Sequence, residues 1–212
     1  MSTVKETDGR RERSRRPKRA IVLAAIERFV ADGYGATTIA GIAGHAGVAV
    51  QTVYVSFGTK RAILAAALDQ AIAGDDREVE INARDWMQDV FTAPTQAERL
   101  TAYAGAIRRI LEQAGDMFAV VAAAASIDPD VVELAESTEA RRLGGARSVV
   151  ESVIAMGSLR EGLSTDEAID VLSLINSPAT FHHLVRRRGW TLDRYQAWVA
   201  EVLQGELLPP TS

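Results

Sequence analysis

The stretch TIAGIAGHAGVAVQTVYVSF, residues 38–57, decides the fold. Apolar residues recur at helical spacing on both sides of Ala46-Gly47-Val48, which predicts two short helices over about 39–45 and 50–55. The small side chain of Ala43 lets the second helix pass close over the first. Two helices joined by a short turn that contains glycine form a helix-turn-helix, although a helical hairpin within any α bundle could show the same spacing.

Helices are also expected on both sides of this motif. Upstream, an apolar stripe indicates a helix that begins at Pro17 and ends at Asp32-Gly33, since glycine readily takes the left-handed conformation that ends a helix. Downstream, Thr59 is a favourable N-cap for a fourth helix. The upstream stripe consists of Val22, Ile26, Phe29 and Val30.

The rest of the chain is also predicted to be helical. No segment alternates apolar and polar residues as a strand would, so the fold class is all-α. We expect a disordered basic arm over 1–16, a small three-helix helix-turn-helix domain over 17–73, and a larger C-terminal helical bundle over 74–212. The further helices are predicted near 84–92, 96–114, 116–126, 129–157, 165–187 and 191–207.

Composition excludes several classes of protein. With 47% hydrophobic and 25% charged residues, the chain is typical of a globular protein. It contains no cysteine, which rules out a disulfide scaffold and a thiolate metal site. The longest apolar run, residues 117–125, is about half as long as a membrane span. No signal-peptide pattern is found, so we expect a cytoplasmic protein without membrane contact.

Charge is unevenly distributed along the chain. Residues 1–61 carry 11 Lys and Arg against 5 Asp and Glu, whereas residues 62–212 carry 13 against 23. A basic N-terminal segment is typical of nucleic-acid binding, although a solvated tail would have the same composition.

The helix-turn-helix and its flanks contain a set of residues at fixed spacing: Thr37-Thr38-Ile39, Ile42-Ala43, Ala46-Gly47-Val48, Thr52-Val53-Tyr54, Phe57 and Thr59-Lys60. In these residues, from about Lys18 to Leu68, the sequence resembles a known family, the TetR-type (tetracycline-repressor-like) transcriptional regulators. The resemblance implies a DNA-binding domain over 17–73 and a C-terminal bundle for ligand binding and dimerisation over 74–212. It also implies a homodimer that binds a palindromic operator on double-stranded DNA and releases it when a small-molecule effector enters the C-terminal domain. The chain departs from the usual pattern at Ala49, where serine is common, and at Val55, where many members carry a larger or polar residue.

The candidate DNA-binding residues follow from side-chain chemistry and from these matched positions. Gln51 can pair with adenine and Thr52 can contact a thymine methyl group in the major groove. Tyr54 can donate a hydrogen bond to a phosphate, or its ring can pack within the domain. The remaining candidates are polar or cationic residues that can contact phosphates or attract DNA without regard to its sequence. They are Thr38, Ser56, Lys60, Arg16 and Lys18.

Aromatic and soft apolar residues in the C-terminal part suggest a ligand site between helices, although core filling explains each of them equally well. Asn176 interrupts an apolar stripe, and a buried amide needs hydrogen-bond partners, of which a ligand could be one. The candidate ligand-binding residues are Trp86, Phe91, Tyr103, Ile107, Phe118, Val121, Asn176 and His182.

The last two predicted helices suit a four-helix dimer interface, with intrachain packing as the alternative. Two-fold symmetry is what a palindromic site requires of a protein. The candidate interface residues are Val171, Leu174, Phe181, Leu184, Tyr195, Trp198 and Val202.

No motif supports an enzyme. His182 and His183 are adjacent, so on a helix they point about 100° apart and cannot share a metal ion. No metalloprotease, P-loop or nucleophile-elbow motif is found, and we expect no cofactor, metal or catalytic residue. The sequence thus predicts a ligand-responsive repressor. A regulator that ignores ligands or activates transcription is the alternative.

Overall fold

The computed structural model describes residues 3–74 and 81–210, with side chains from Arg16 onward except that of Asn82. Over this part of the chain the regular elements are helical and no strand is found, which confirms the all-α class. The helices are α1 (Thr3–Ala36), α2 (Ile39–Ala46), α3 (Val50–Phe57), α4 (Lys60–Ala73), α5 (Asp85–Thr92), α6 (Gln96–Ala125), α7 (Pro129–Ile154), α8 (Thr165–Ile175), α9 (Pro178–Phe181) and α10 (Leu192–Leu207).

The chain divides into two compact units. Unit 1 comprises Met1–Asp76 and Asp116–Ala135, and unit 2 comprises Arg77–Gly115 and Glu136–Ser212. Residues 116–135, which the sequence assigns to the C-terminal domain, therefore belong with the helix-turn-helix. Contacts within unit 1 explain this grouping. The Tyr34 hydroxyl donates to Asp128 over 3.0 Å, and the Arg61 guanidinium lies 2.8 Å from the Glu133 carboxylate.

The first four helices share one apolar core. The buried positions on α1 recur at the spacing of a helix face, and they meet buried residues from α2, α3 and α4. Val30, which the sequence places on this face, is 44% exposed, so the buried stripe is rotated toward Ile21 and Ala25. The largest fully buried side chains of this core are Phe29, Ile21, Ile42, Ile63, Leu64 and Leu68.

The end of α1 is fixed by a glycine and a threonine. Gly33 has φ of 78° and interrupts the helical backbone, as the sequence predicts. The buried Thr37 hydroxyl donates to the carbonyl oxygens of Gly33 and Arg28, at 2.8 and 3.1 Å. This contact holds the connection to α2 against the end of α1.

The start of α1 differs from the sequence expectation. The helix begins at Thr3, whereas the sequence predicts a disordered arm over 1–16. Arginine and glutamate are good helix formers, so a polar segment that lacks hydrophobic periodicity can still continue a helix that a packed core nucleates downstream. Pro17 lies inside the helix, although the sequence places it at the first turn.

Helices in unit 2 also differ from the sequence expectation at two places. Helix α6 runs without interruption through Gly115, where we expected a break. A Cβ atom at Gly115 would lie 3.1 Å from the Phe181 ring, so this glycine permits close packing of the ring and does not end a helix. The predicted helix over 165–187, in which Pro178 is expected to cause a kink, ends at Ile175, restarts at Pro178 as α9, and finishes in a π-helical turn over His182–Arg187.

Among the described helices, none alone is long and apolar enough to cross a membrane. Helices α2 and α3 pass that test only when they are taken together as one bent pair.

Candidate nucleic-acid interface

Helices α2 and α3 have the geometry of a helix-turn-helix. Their axes are bent by 110°, within the range of about 90–120° that this motif shows. Gly47 makes the turn, with φ of 67° and ψ of 31°, a left-handed conformation that costs glycine little. The amide of Val48 then donates to the carbonyl oxygen of Ala43 over 3.0 Å and closes the end of α2.

One face of α3 points away from the core of unit 1. Val53 is fully buried, whereas Gln51 is exposed, Tyr54 is 48% exposed and Val55 is 78% exposed. Positions 51, 54 and 55 share one side of a helix, because residues three and four apart are neighbours on its surface. Thr52 and Ser56 are half-buried at the edges of this face. We call Gln51, Tyr54 and Val55 the outer face of α3.

The outer face carries no charge. The chain has no Asp, Glu, Lys, Arg or His between His45 and Lys60, so the helix presents an amide, a neutral phenol and an isopropyl group. Ala49 occupies the N-cap of α3 and makes no side-chain capping bond, which leaves the first amides of this helix without that support. Such a surface can distinguish base edges, but it contributes little long-range attraction to DNA.

Polar and cationic groups flank the outer face in the sequence. Thr38 is exposed at the N-cap of α2, where its hydroxyl oxygen accepts from the amide of Gly41 over 3.0 Å. Arg16 and Lys18 are exposed on α1. A helix N-terminus and exposed cations are the groups that usually contact phosphates.

Lys60 has a different environment from the one the sequence suggests. Its ammonium group donates to the carbonyl oxygens of Tyr34 and Thr37, at 2.9 and 3.2 Å, and lies 4.1 Å from the centre of the Tyr34 ring. Two of its three protons are therefore committed inside unit 1. The contacts tie the start of α4 to the connection between α1 and α2, so Lys60 is first of all a positioning residue.

Sequence reasoning missed the two residues that anchor this connection. Tyr34 is buried against Phe29, with ring centroids 5.7 Å apart, and burial together with the Asp128 hydrogen bond raises the pKa of Tyr34 to about 12. Thr37 supplies the hydrogen bonds to the end of α1. An aromatic and a threonine beside a predicted helix stop are the only signals in the sequence, and they also fit an ordinary loop.

Residues 21–67 match the family model described as bacterial regulatory proteins, tetR family. This segment contains the helix-turn-helix and most of α4. This segment is therefore similar to bacterial regulatory proteins of the tetR family. The match agrees with the resemblance found in the sequence.

Solved structures of bacterial regulators share the fold of this chain. A TetR transcriptional regulator from Chloroflexus aurantiacus is 17% identical, with a TM-score of 0.67 over 92% of this chain and 98% of its own. The regulator FadR from Bacillus subtilis, in complex with stearoyl-CoA, is 18% identical, with a TM-score of 0.67 over 87% and 96%.

A Saccharomonospora viridis protein in complex with choline is 19% identical, with a TM-score of 0.69 over 90% of this chain and 96% of its own. At these identities the likeness concerns the fold alone. No protein with a curated description matches this chain.

The candidate ligand-binding residues fall into both units. Phe118 and Val121 belong to unit 1, where Val121 is buried. The other six belong to unit 2, where Tyr103 and Asn176 are buried. The remaining four are half-buried: Trp86, Phe91, Ile107 and His182.

Tyr103 and Asn176 are joined in a buried polar cluster. The Asn176 amide donates to the Tyr103 hydroxyl, and its oxygen accepts from Arg142 over 2.6 Å. Arg142 also donates to the Ser173 carbonyl oxygen over 2.6 Å and pairs with Glu139, which holds the pKa of that carboxyl below its usual value. We call Tyr103, Asn176, Arg142 and Glu139 the polar cluster of unit 2.

Tyr195 lies close to this polar cluster. It is fully buried, and its hydroxyl has no hydrogen-bond partner among the described residues. Burial raises the pKa of Tyr103 and of Tyr195, and Tyr103 adds to the shift of Tyr195. Both side chains are therefore neutral hydrogen-bond donors over the physiological pH range.

The candidate dimer residues separate by burial within the single chain. Phe181 and Tyr195 are buried and meet edge to face, with ring centroids 5.1 Å apart, so they belong to the chain's own core and are wrong as interface anchors. Leu174 on α8 is 69% exposed. The others are half-buried: Val171, Leu184, Trp198 and Val202.

Proposed function

We propose that this protein is a dimeric, cytoplasmic repressor that binds a palindromic operator through α3 and leaves it when a small, largely apolar effector binds unit 2. The observation that carries the DNA-binding part is the outer face of α3, a neutral reading surface on the second helix of a pair bent by 110°. An α-helix such as α3 fits into a major groove about 12 Å wide.

In this proposal Gln51 reads adenine, and Thr52 and Tyr54 contact a base edge and a phosphate. Thr38, Ser56, Arg16 and Lys18 contact the backbone, and Lys60 mainly holds the connection before α2 in place. Support comes from exposure, since Gln51, Tyr54, Thr38, Arg16 and Lys18 are all exposed in the single chain. Backbone contacts position such a protein, and base contacts specify its sequence.

Selection of bound duplexes from a random pool tests operator recognition. We expect a two-fold symmetric site, with half-sites about one helical turn apart or a multiple of it. Gln51→Ala should relax the preference at one adenine per half-site, because a bidentate contact is worth about 1–3 kcal/mol of discrimination. Gln113→Ala, the same change at an exposed position of unit 2, is the matched control. Equal base preference in both variants would contradict the role of Gln51.

The dimer is proposed to form through α8 and α10. Leu174 supports this, because its exposed side chain on α8 would gain free energy if a partner removed it from water. Leu174→Glu should raise the dimer dissociation constant by at least tenfold in sedimentation equilibrium, since the interface would then bury a charge. Leu23→Glu, at an exposed position on α1, should leave it unchanged. A wild-type chain that remains a monomer at micromolar concentration would overturn the dimer.

The effector is proposed to bind beside the polar cluster of unit 2. Support comes from the buried Tyr195 hydroxyl and from the Asn176 amide, which can hold and orient an oxygen atom of a mostly apolar molecule. In proteins of similar fold the bound molecules are choline and stearoyl-CoA, so this architecture accommodates very different ligands.

Operator binding in the presence of a metabolite extract tests the switch. A coupling free energy of about 1–3 kcal/mol would weaken operator binding roughly 5- to 150-fold. Asn176→Leu should abolish that response and leave operator affinity without extract unchanged. A response that survives in this variant would place the effector elsewhere.

A further inference from the structure

Val55 is the most exposed large apolar side chain in the described part of the chain. Its exposed fraction of 78% exceeds that of Leu174 and of Ile127, at 69% and 66%. It lies in the interior of α3, whose opposite side is anchored by the fully buried Val53. The exposure therefore belongs to a well-fixed helix face and not to a loose end.

The position of Val55 on α3 restricts what it can contact. Val55 lies one turn after Gln51 on the same side of the helix and next to Tyr54, so any surface that α3 approaches with its outer face meets all three side chains. Residues 1–61 carry a net positive charge, which favours a polyanion over an acidic or neutral partner at this surface. The occupant of the outer face is then DNA.

In the major groove the one apolar group on a base edge is the C5-methyl group of thymine. An isopropyl side chain has no donor or acceptor to offer the other bases, and it loses exposed area when it meets that methyl group. We propose that Val55 contacts the C5-methyl group of a thymine and so specifies one T·A pair in each half-site. This inference rests on the proposed role of α3 in DNA binding.

The register follows from helix geometry. Four residues of an α-helix span about 6 Å, and successive base pairs lie about 3.4 Å apart. If α3 lies along the groove, the thymine is therefore about two base pairs from the adenine that Gln51 reads. The half-site preference of the chain is then set by two side chains of one helix face.

Replacement of thymine by deoxyuridine tests the inference, because it removes only the methyl group. In a selected duplex, each thymine of the half-site is replaced in turn, and the dissociation constant is measured for the wild type and for Val55→Ala. We expect one position per half-site at which deoxyuridine weakens wild-type binding about fourfold, or about fifteenfold when both half-sites are changed.

The Val55→Ala variant should bind the thymine duplex more weakly by a similar factor and be insensitive to deoxyuridine at that position. Val50→Ala is the matched control, since Val50 is also exposed on α3, at 40%, but lies about 140° around the helix from Val55. It should keep the full deoxyuridine effect. Thermal melting of both variants checks that each remains folded.

The possible failures are distinguishable. If the wild type binds no duplex, the proposed DNA-binding function itself fails. If it binds but no thymine position responds to deoxyuridine, or if Val55→Ala retains the wild-type response, the role of Val55 is overturned. A Val55→Ala variant that binds DNA normally but loses self-association would show that the outer face contacts a second copy of the chain, which also overturns it.

Discussion

Lys60 shows how a single side chain can support the proposed DNA-binding surface without having to touch DNA. Its ammonium group satisfies two carbonyl oxygens of the connection that leads into α2. That connection also carries Thr38, the N-cap of α2 and a proposed phosphate contact. A lysine that looks like a phosphate ligand in the sequence therefore acts first on the geometry of its neighbours.

Lys60→Met should lower the free energy of unfolding by about 1–2 kcal/mol, because it leaves two carbonyl oxygens without a charged donor. Operator affinity should fall with little change in its salt dependence. Lys18→Met, at an exposed position of α1, should show the reverse, with unchanged stability and a shallower salt dependence. Urea denaturation measures the stability of each variant, and binding at several salt concentrations measures the salt dependence of its operator affinity. Equal stability of Lys60→Met and the wild type would contradict the positioning role.

Glu139 gives unit 2 a contribution to stability that depends on pH. The hydrogen bonds from Arg142 hold the pKa of Glu139 below its ordinary value of 4.5. The folded-state pKa is thus lower than the unfolded one, so the contribution is present above pH 4.5 and is lost as the pH falls through the folded-state value. The wild type should be more stable than Glu139→Gln at pH 7, and the difference should shrink below pH 4.5. Chemical denaturation across this range measures it, and a constant difference would contradict the pairing.

At the scale of elements, α3 lacks the stabilisation that its neighbours have. The N-caps of α2 and α4, Thr38 and Thr59, accept hydrogen bonds from amides of the first turn at 3.0 and 3.1 Å, whereas Ala49 makes no such bond. A short helix without a side-chain cap depends on packing for its order, here on the buried Val53.

Ala49→Ser should stabilise the protein by about 0.5–1 kcal/mol, because a serine at the N-cap can accept from the first free amides of α3. Ala40→Ser, an exposed position within α2, is the matched control and should give no gain, since Thr38 already caps that helix. Thermal melting measures stability, and hydrogen exchange should show slower exchange confined to α3. A melting temperature that does not rise would indicate that residue 49 cannot take the capping rotamer.

The same comparison of elements shows what local sequence can and cannot predict. Gly33, Thr38 and Gly47 act through their own backbone conformation or nearest amides, so the helix boundaries around the turn are predictable. Gly115 lies inside α6, where its missing Cβ leaves room for the Phe181 ring, and that contact exists only after folding. Local patterns cannot distinguish these two uses of glycine.

The two candidate sites also differ in how far local sequence predicts them. The outer face of α3 is predictable because its residues are neighbours on one helix, and the structure leaves it exposed. The polar cluster of unit 2 joins Tyr103 to Asn176 and Arg142 across 73 and 34 residues of sequence. Asn176 could be singled out as a polar residue in an apolar stripe, but nothing in the sequence indicates Arg142 as its partner.

At the scale of the whole molecule, the distribution of charge predicts how binding responds to salt. The basic segment is confined to residues 1–61 of an otherwise acidic chain, and attraction to DNA must come from there. Each phosphate neutralised contributes about −0.9 to the slope of log affinity against log salt concentration.

Operator affinity should therefore fall steeply between 50 and 200 mM salt, by roughly 10³-fold or more for a dimer that makes six or more phosphate contacts. Lys18→Met should reduce the slope by about one per subunit, and Gln51→Ala should leave it unchanged while weakening the preferred site. Filter binding or fluorescence anisotropy across the salt range measures both quantities. An affinity insensitive to salt would contradict binding through the basic segment.

The absence of charged side chains between His45 and Lys60 affects how the recognised DNA sequence of such a regulator can change. In the proposed function, different parts of unit 1 supply the sequence-independent affinity for DNA and the preference for one sequence. Substitutions on α3 can then alter the recognised sequence while the affinity for non-target DNA stays unchanged. Gene duplicates of such a protein could acquire new operators through a few changes in one helix without losing their sequence-independent affinity for DNA.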